Sequence, residues 1–175
     1  MKASRRRWLI SGGVAAAGVA GGAAAYWWQR RSQHDPAAEA FWALTLDTPA
    51  QTPLAMHSLQ ARPLVLNFWA TWCPPCVREM PALDRFYRDH RAQGWQVLGL
   101  AADNAAAVRE FLTRTPVAFP IALAGFEGID LSRRLGNLSG GLPFTVVFGR
   151  DGRIRHRHIG ETHYEQLAGW AQGFS

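Results

Sequence analysis

The sequence predicts an α/β fold in which a mixed β-sheet is covered by helices on both faces. Three observations predict it. Leu64 to Trp69 (LVLNFW) and Gln96 to Ala101 (QVLGLA) are short apolar runs of buried-strand length. After the first run the period changes: Cys76, Met80, Leu83, Tyr87 and His90 fall at helical spacing, with Phe86 beside them. Near the end, Asp151-Gly152 is a hairpin signal between Phe144 to Phe148 and Arg153 to Ile159. Strand, helix, strand, helix, hairpin and helix in that order suit a sheet with helices on each side.

The remaining elements follow in chain order. Phe41 to Leu59 contains Pro49 and Pro53 and no clear period, so extended entry segments with a small hairpin are expected. Asp103-Asn104 offers a helix cap, and Val108, Phe111 and Leu112 give the next helix its apolar stripe before Pro116 ends it. Ala118 to Leu123 reads as a short strand and Ile129 to Leu135 as a short helix. Gly140-Gly141-Leu142-Pro143 is a turn. Thr162-x-x-Glu165 has the form of a capping box opening a last helix, with Leu167 and Trp170 inward.

The chain has 175 residues, 48% of them hydrophobic, enough for one domain plus a leader. Its net charge of +6 is unevenly placed. Lys2, Arg5, Arg6, Arg7, Arg30 and Arg31 are six of the 19 basic residues, and residues 1–31 contain no acid. The other 13 basic residues match 13 acids, so the domain is formally neutral and nucleic-acid binding is not expected. Trp8 to Trp28 carries no charge and as a helix would be about 31 Å long, enough to span a bilayer core. Trp8, Tyr26, Trp27 and Trp28 stand at its ends, where interfacial aromatics belong. Two export readings compete: a single-pass anchor, and a signal cleaved near Ala23-x-Ala25. Ser4 to Leu9 (SRRRWL) also resembles a twin-arginine export signal. The expected organisation is therefore a signal or membrane anchor over 1–31, a polar linker over 32–40 and the domain over 41–175. Each export reading places the domain outside the cytoplasm, tethered or soluble.

The chemistry-bearing stretch is Asn67 to Cys76, NFWATWCPPC, which holds both cysteines of the chain. A Cys-x-x-Cys that leaves a strand and opens a helix is the pattern of a thiol–disulfide redox site. The N–H groups and partial positive charge of the helix start stabilise a thiolate, and the thiolate is the attacking species. A structural zinc site would want four ligands, and there is no third cysteine. A static bridge across two residues closes too short a loop to constrain the unfolded chain much. Cys73, at the helix start, is the expected nucleophile, and Cys76, one turn inside, the resolving thiol.

The motif with its preceding strand resembles the thioredoxin superfamily, and NFWATWCPPC-x-x-EMP resembles more closely the TlpA/ResA-type disulfide reductases. The resemblance covers roughly Phe41 to Trp170. It implies a thioredoxin-like fold, a membrane tether and a periplasm-facing reductase. The implied partners are oxidised cysteine pairs of exported proteins, in cytochrome c maturation or copper-site assembly, and a membrane thiol carrier that supplies electrons. No cofactor, no metal and a monomer are expected. Ordinary thioredoxins carry an aspartate on the strand beneath the cysteines, where this chain has Asn67. By resemblance the acid–base group is Glu79, the third catalytic candidate beside Cys73 and Cys76. Pro143 resembles the superfamily's cis-proline. With Leu142, whose backbone would pair with an extended substrate, and with Trp72 and Pro74 flanking Cys73, it makes the candidate substrate-binding set.

Pro74 and Pro75 suit a first helical turn and lack the N–H groups that would otherwise approach the Cys73 sulfur. A less acidic Cys73 and a reducing pair are the expectation. Pro81 is expected to bend the helix without chemistry, Trp69 to lie in the core and Trp72 to be half-exposed. Arg153, Arg155 and Arg157 alternate with His156 and His158, as on a solvated edge strand or on a docking face for an acidic partner. Other functions remain as alternatives: a net oxidase or isomerase, a thiol peroxidase (disfavoured by Ala70, where a threonine is usual), or a copper chaperone assisted by His57 or His156.

Overall fold

A computed structural model describes residues 35–173. The leader expected over 1–31 lies outside the described residues, and among the described residues no helix is long and apolar enough to cross a membrane.

A seven-stranded sheet organises the domain, in the order β2-β1-β5-β4-β3-β6-β7. The entry segments form helix α1 (Pro36–Trp42) and the hairpin β1 (Thr45–Asp47) and β2 (Pro53–Ala55), followed by a 3-10 turn at Met56–Leu59. β3 (Leu64–Trp69) leads into α2 (Pro74–His90), and β4 (Gln96–Ala101) into α3 (Ala105–Arg114). β5 (Ile121–Leu123), α4 (Gly128–Arg134), β6 (Phe144–Phe148), β7 (Ile154–Ile159) and α5 (Tyr164–Gln172) complete the chain.

β3 and β4 are parallel with Asn67 opposite Gly99, and β4 and β5 are also parallel. β6 runs antiparallel to β3, with Phe68 opposite Phe144. β3, β4 and β6 are therefore central, which is why each reads as a continuous apolar run rather than an alternating one. Side chains alternate across the sheet. Val65 and Trp69 pack with Cys76, Met80, Leu83 and Phe86 of α2, Phe111 of α3 and Leu167 of α5. Leu64, Leu66 and Phe68 pack on the other face with Phe41 and Trp42 of α1 and Leu135.

Two differences from the sequence reading concern helix starts. The segment expected as a linker to residue 40 is already helical from Pro36. Asp35 caps it, its Oδ1 accepting from the Ala37 and Ala38 amides at 3.0 and 3.4 Å. Phe41 stacks on Phe148 with ring centres 5.3 Å apart, and the Trp42 Nε1–H donates to the Gly152 carbonyl at 2.8 Å. Gly152 sits at φ +73, and a Cβ there would lie 3.2 Å from Trp42 Nε1. The expected capping box is also absent: α5 is preceded by His163, which makes no side-chain cap, and the Thr162 hydroxyl is engaged elsewhere.

α2 continues through Pro81, which lies on its exposed side. On the edge strand β7, Arg153 and Arg155 pair with Asp151, and Arg157 with Asp35. His156 and His158 lie against Trp170. Three arginines of this row thus share two carboxylates within the domain.

Candidate functional site: a disulfide at a strand-to-helix turn

β3 ends at Trp69, and the chain must turn from the sheet into α2 within four residues. Three anchors fix that turn. The Ala102 amide donates to the Trp69 carbonyl at 2.8 Å, extending the β3–β4 ladder by one step, and the Cys73 amide donates to the Ala70 carbonyl at 3.2 Å. Asp103, buried just after β4, accepts from the Thr71 amide at 2.9 Å and the Thr71 hydroxyl at 2.6 Å through Oδ2. Asn104, its neighbour, caps α3. The pair read as a cap thus divides its labour: Asn104 serves the helix, and Asp103 ties down the loop before the cysteines.

Cys73 is the N-cap of α2 and is disulfide-bonded to Cys76, with Cα atoms 5.3 Å apart. Cys73 keeps 5% of its surface and Cys76 none, so the first sulfur is the one a substrate can reach. The Cys76 amide donates to Cys73 Sγ at 3.3 Å. Pro74 and Pro75 occupy the two positions between and have no N–H to offer, so this is the one backbone donor of the first helical turn on that sulfur.

The loop before β6 closes the other side. Leu142–Pro143 is a cis peptide bond. Because Phe144 is opposite Phe68, Pro143 stands at the end of β3 where the cysteine turn begins. Buried Asn137 shapes this loop, its Nδ2 donating to the Gly141 carbonyl at 2.8 Å and to the Ser132 hydroxyl at 3.0 Å. Trp72 is 60% exposed beside Cys73, and Pro74 is exposed on its other side. Phe126 after β5, Leu138 before the cis-proline and Ile159 at the end of β7 are exposed as well. The strand directions and registers place all four apolar side chains at the disulfide end of the sheet. Of these the sequence reading singled out only Trp72. An exposed phenylalanine or leucine in a loop has no periodic signal.

Glu79 is buried to 1% exposure on the sheet-facing side of α2, one turn beyond Cys76. Its partners are neutral. Asn67 Nδ2 donates to Oε1 at 2.7 Å, and the Thr162 amide and hydroxyl donate to Oε2 at 2.7 and 2.8 Å. Asn67 Nδ2 also donates to the Thr145 hydroxyl at 3.1 Å. Burial pushes the Glu79 carboxyl above its ordinary range. The bonds from Thr162 and Asn67 pull it down without cancelling that push, and the charge of Glu161 adds to it. Thr162 had no functional signal in the sequence, since its spacing to Glu165 suggested a helix cap.

The histidines invoked for a copper site are not brought to the sulfurs. His57 follows β2, on the edge of the sheet away from β3, and His156 lies within β7 on the opposite edge. Among the described residues no three His, Cys, Asp or Glu side chains form a metal-holding group.

A mixed sheet with a Cys-x-x-Cys at the strand-to-helix turn and a cis-proline facing it defines a thioredoxin-like fold built for disulfide exchange. The family model described as Redoxin matches residues 36–169. The thiol-disulfide oxidoreductase ResA of a Bacillus cereus strain is 34% identical over 121 residues, which cover 68% of this chain and 67% of that protein. ResA of Bacillus anthracis is 32% identical over 118 residues, 67% of this chain and 66% of that one. The chain therefore spans about two thirds of the length of the curated relatives it matches. Among solved structures, the thioredoxin-related protein from Neisseria meningitidis serogroup B is 33% identical with a TM-score of 0.66, covering 73% of this chain and 96% of that one. StoA from Bacillus subtilis, at 23% identity and a TM-score of 0.61, covers 73% of this chain and 95% of its own and shares the fold. The chain belongs to the redoxin family and is a thiol–disulfide oxidoreductase of the ResA-like kind.

Proposed function

We propose that the protein reduces disulfides of exported proteins in the bacterial periplasm, held at the inner membrane by its N-terminal segment or released from it. The observation that carries this reading is the exposure difference between two bonded sulfurs at one helix start, with a buried carboxyl one turn behind them.

In the reduced protein, the Cys73 thiolate attacks a substrate disulfide. One substrate sulfur bonds to Cys73 Sγ, and the other leaves as a thiolate that takes a proton from solvent. Cys76 then loses its proton to Glu79 and attacks Cys73 Sγ. The Cys73–Cys76 bond forms as the mixed disulfide breaks. The second substrate sulfur leaves as a thiolate that takes a proton from solvent, while Glu79 gives up the one it received. Two electrons pass to the substrate. A membrane thiol carrier returns two to the protein.

Pro74 and Pro75 support the reducing direction, since they leave Cys73 a single backbone N–H donor. A poorly stabilised thiolate gives a low potential, nearer the thioredoxin end at about −270 mV than the strongly oxidising end at about −120 mV. Trp72, Pro74, Leu142 and Pro143 contact the substrate, which lies extended along the Leu142 backbone. Phe126, Leu138 and Ile159 widen that surface toward apolar, unfolded chains. Precursors awaiting a thiol-dependent step, such as haem attachment or copper loading, have that chemistry.

The decisive experiment is trapping. Cys76→Ser should accumulate mixed disulfides in cells between Cys73 and exported cysteine pairs, and mass measurement of the same preparation gives the mature N-terminus. Recovery of cytoplasmic proteins alone, or a potential near the oxidising end, would refute the periplasmic reductase reading.

A further inference from the structure

Asn67 is the one side chain with a polar group in the middle of β3, a strand buried at all six positions. It alternates with Val65 and Trp69, so it faces α2. Both N–H groups of its amide are used, on Glu79 Oε1 at 2.7 Å and on the Thr145 hydroxyl at 3.1 Å. Its Oδ1 is buried with no partner among the described residues. A buried acceptor left without a donor is rare and calls for a reason.

Turning the amide by half a turn would give Oδ1 the Thr145 hydroxyl as a donor. It would also set that oxygen against Glu79 Oε1, acceptor against acceptor. An ionised carboxylate accepts only, so it forbids the turned arrangement. The orphaned oxygen is thus the consequence of keeping the donor side of the amide on the carboxylate. Thr145, directly across from Asn67 in the β3–β6 register, holds the same nitrogen and reinforces that orientation.

We infer that Asn67 is a positioning residue for Glu79: its amide, gripped by Thr145, holds the buried carboxyl as the anion that receives a proton. This rests on Glu79 being the proton acceptor for Cys76. Asn67 shares this positioning role with Thr162, whose amide and hydroxyl hold Oε2 while Asn67 alone holds Oε1. β3 and β6 present only neutral Asn67 and Thr145 there, and α2 presents the bonded cysteines. The β7–α5 connection brings Glu161, whose charge is held by Arg78 at 2.7 Å, and β7 brings His158 across from Thr145. Among the described residues no cation bonds to the carboxyl, so neutral donors alone oppose the push of burial and of Glu161 toward the protonated form.

The test uses the full-length chain with Asn67→Leu and Thr145→Val, which remove the donor and its holder at similar shape. The Glu79 carboxyl titration is followed by carbon NMR, its signal identified by its loss in Glu79→Gln. The midpoint should rise by about one pH unit or more in Asn67→Leu, the scale of a lost bond to a charged group. It should rise by less in Thr145→Val, and the pH profile of mixed-disulfide resolution should move with it. An unmoved midpoint in both variants overturns the inference, and Thr145→Val alone decides if Asn67→Leu does not fold. A midpoint that moves while the rate profile stays fixed, in these variants and in Glu79→Gln alike, supports the role of Asn67 and refutes proton transfer to Glu79.

Discussion

At the scale of single residues the site is a set of unequal pairs. Cys73 and Cys76 are chemically identical, but only Cys73 reaches the surface. Trp69 and Trp72 are three apart; the first is core and the second is exposed. Glu79 is a buried carboxylate: burial disfavours its charge, and the neutral donors around it offset only part of that. The sign of its effect on stability follows. Its folded affinity for a proton exceeds the unfolded one, so protonated Glu79 stabilises the fold below the ordinary carboxylate range. That contribution is lost as pH rises through the raised folded value. Glu79→Gln should therefore remove a pH-dependent slope from denaturant-measured stability and match or exceed the parent above that window. The Asn67 amide can turn to give its Oδ1 to a glutamine, which keeps a hydrogen bond between the two side chains. The same variant should slow resolution of the mixed disulfide and flatten its pH profile, as read by stopped-flow thiol exchange. A variant as fast as the parent, with the same profile, would remove Glu79 from the chemistry.

At the scale of elements, close packing beneath the site and loop anchoring beside it are separable. Gly99 on β4 is opposite Asn67, and a Cβ there would lie 2.5 Å from Ile121 Cδ1, 3.0 Å from the Phe119 ring and 3.1 Å from Trp69 Nε1. Gly99→Ala should overpack this corner and cost about 1–3 kcal/mol in urea unfolding. Asp103 acts on the loop instead. Asp103→Ala leaves the half-buried Thr71 donors without their acceptor and should cost about 1 kcal/mol. Because the loop carries Trp72 and Cys73, it should also weaken substrate binding, seen as a higher KM in a test-disulfide assay. Gly99→Ala, if folded, should change stability far more than KM.

For the whole domain, the boundary is set by α1. Phe41 stacks on Phe148 of β6, Trp42 bonds to the β6–β7 turn, and Asp35 meets Arg157 of β7. The ion pair is partly exposed and contributes little. The aromatic contacts are buried, and Phe41→Ala should cost about 3–5 kcal/mol by thermal or denaturant unfolding. A chain begun after Trp42 should consequently fail to give the native unfolding transition. One begun at Asp35 should retain it.

The fold class and the two sulfurs were legible because their signals are local. An apolar run of strand length, a change to helical period and a Cys-x-x-Cys between them need no distant partner to be read. β3, β4 and β6 begin and end where the residues alone suggested. Thr162 shows the opposite case. Its spacing to Glu165 matched a helix cap, but its hydroxyl and amide serve a carboxylate 83 positions away in the chain. Asp103 reads as a cap and is a loop anchor, because its partner Thr71 is 32 positions back. The exposed apolar side chains at the disulfide end come from separate parts of the chain and share that end only because of strand order and direction. The α/β class and the dithiol at its strand-to-helix turn follow from spacing along the backbone, so the residues alone specify them. The neutral donors around Glu79 and the orphaned oxygen of Asn67 emerge only from the folded chain, because hydrogen-bond partners are chosen by proximity in space.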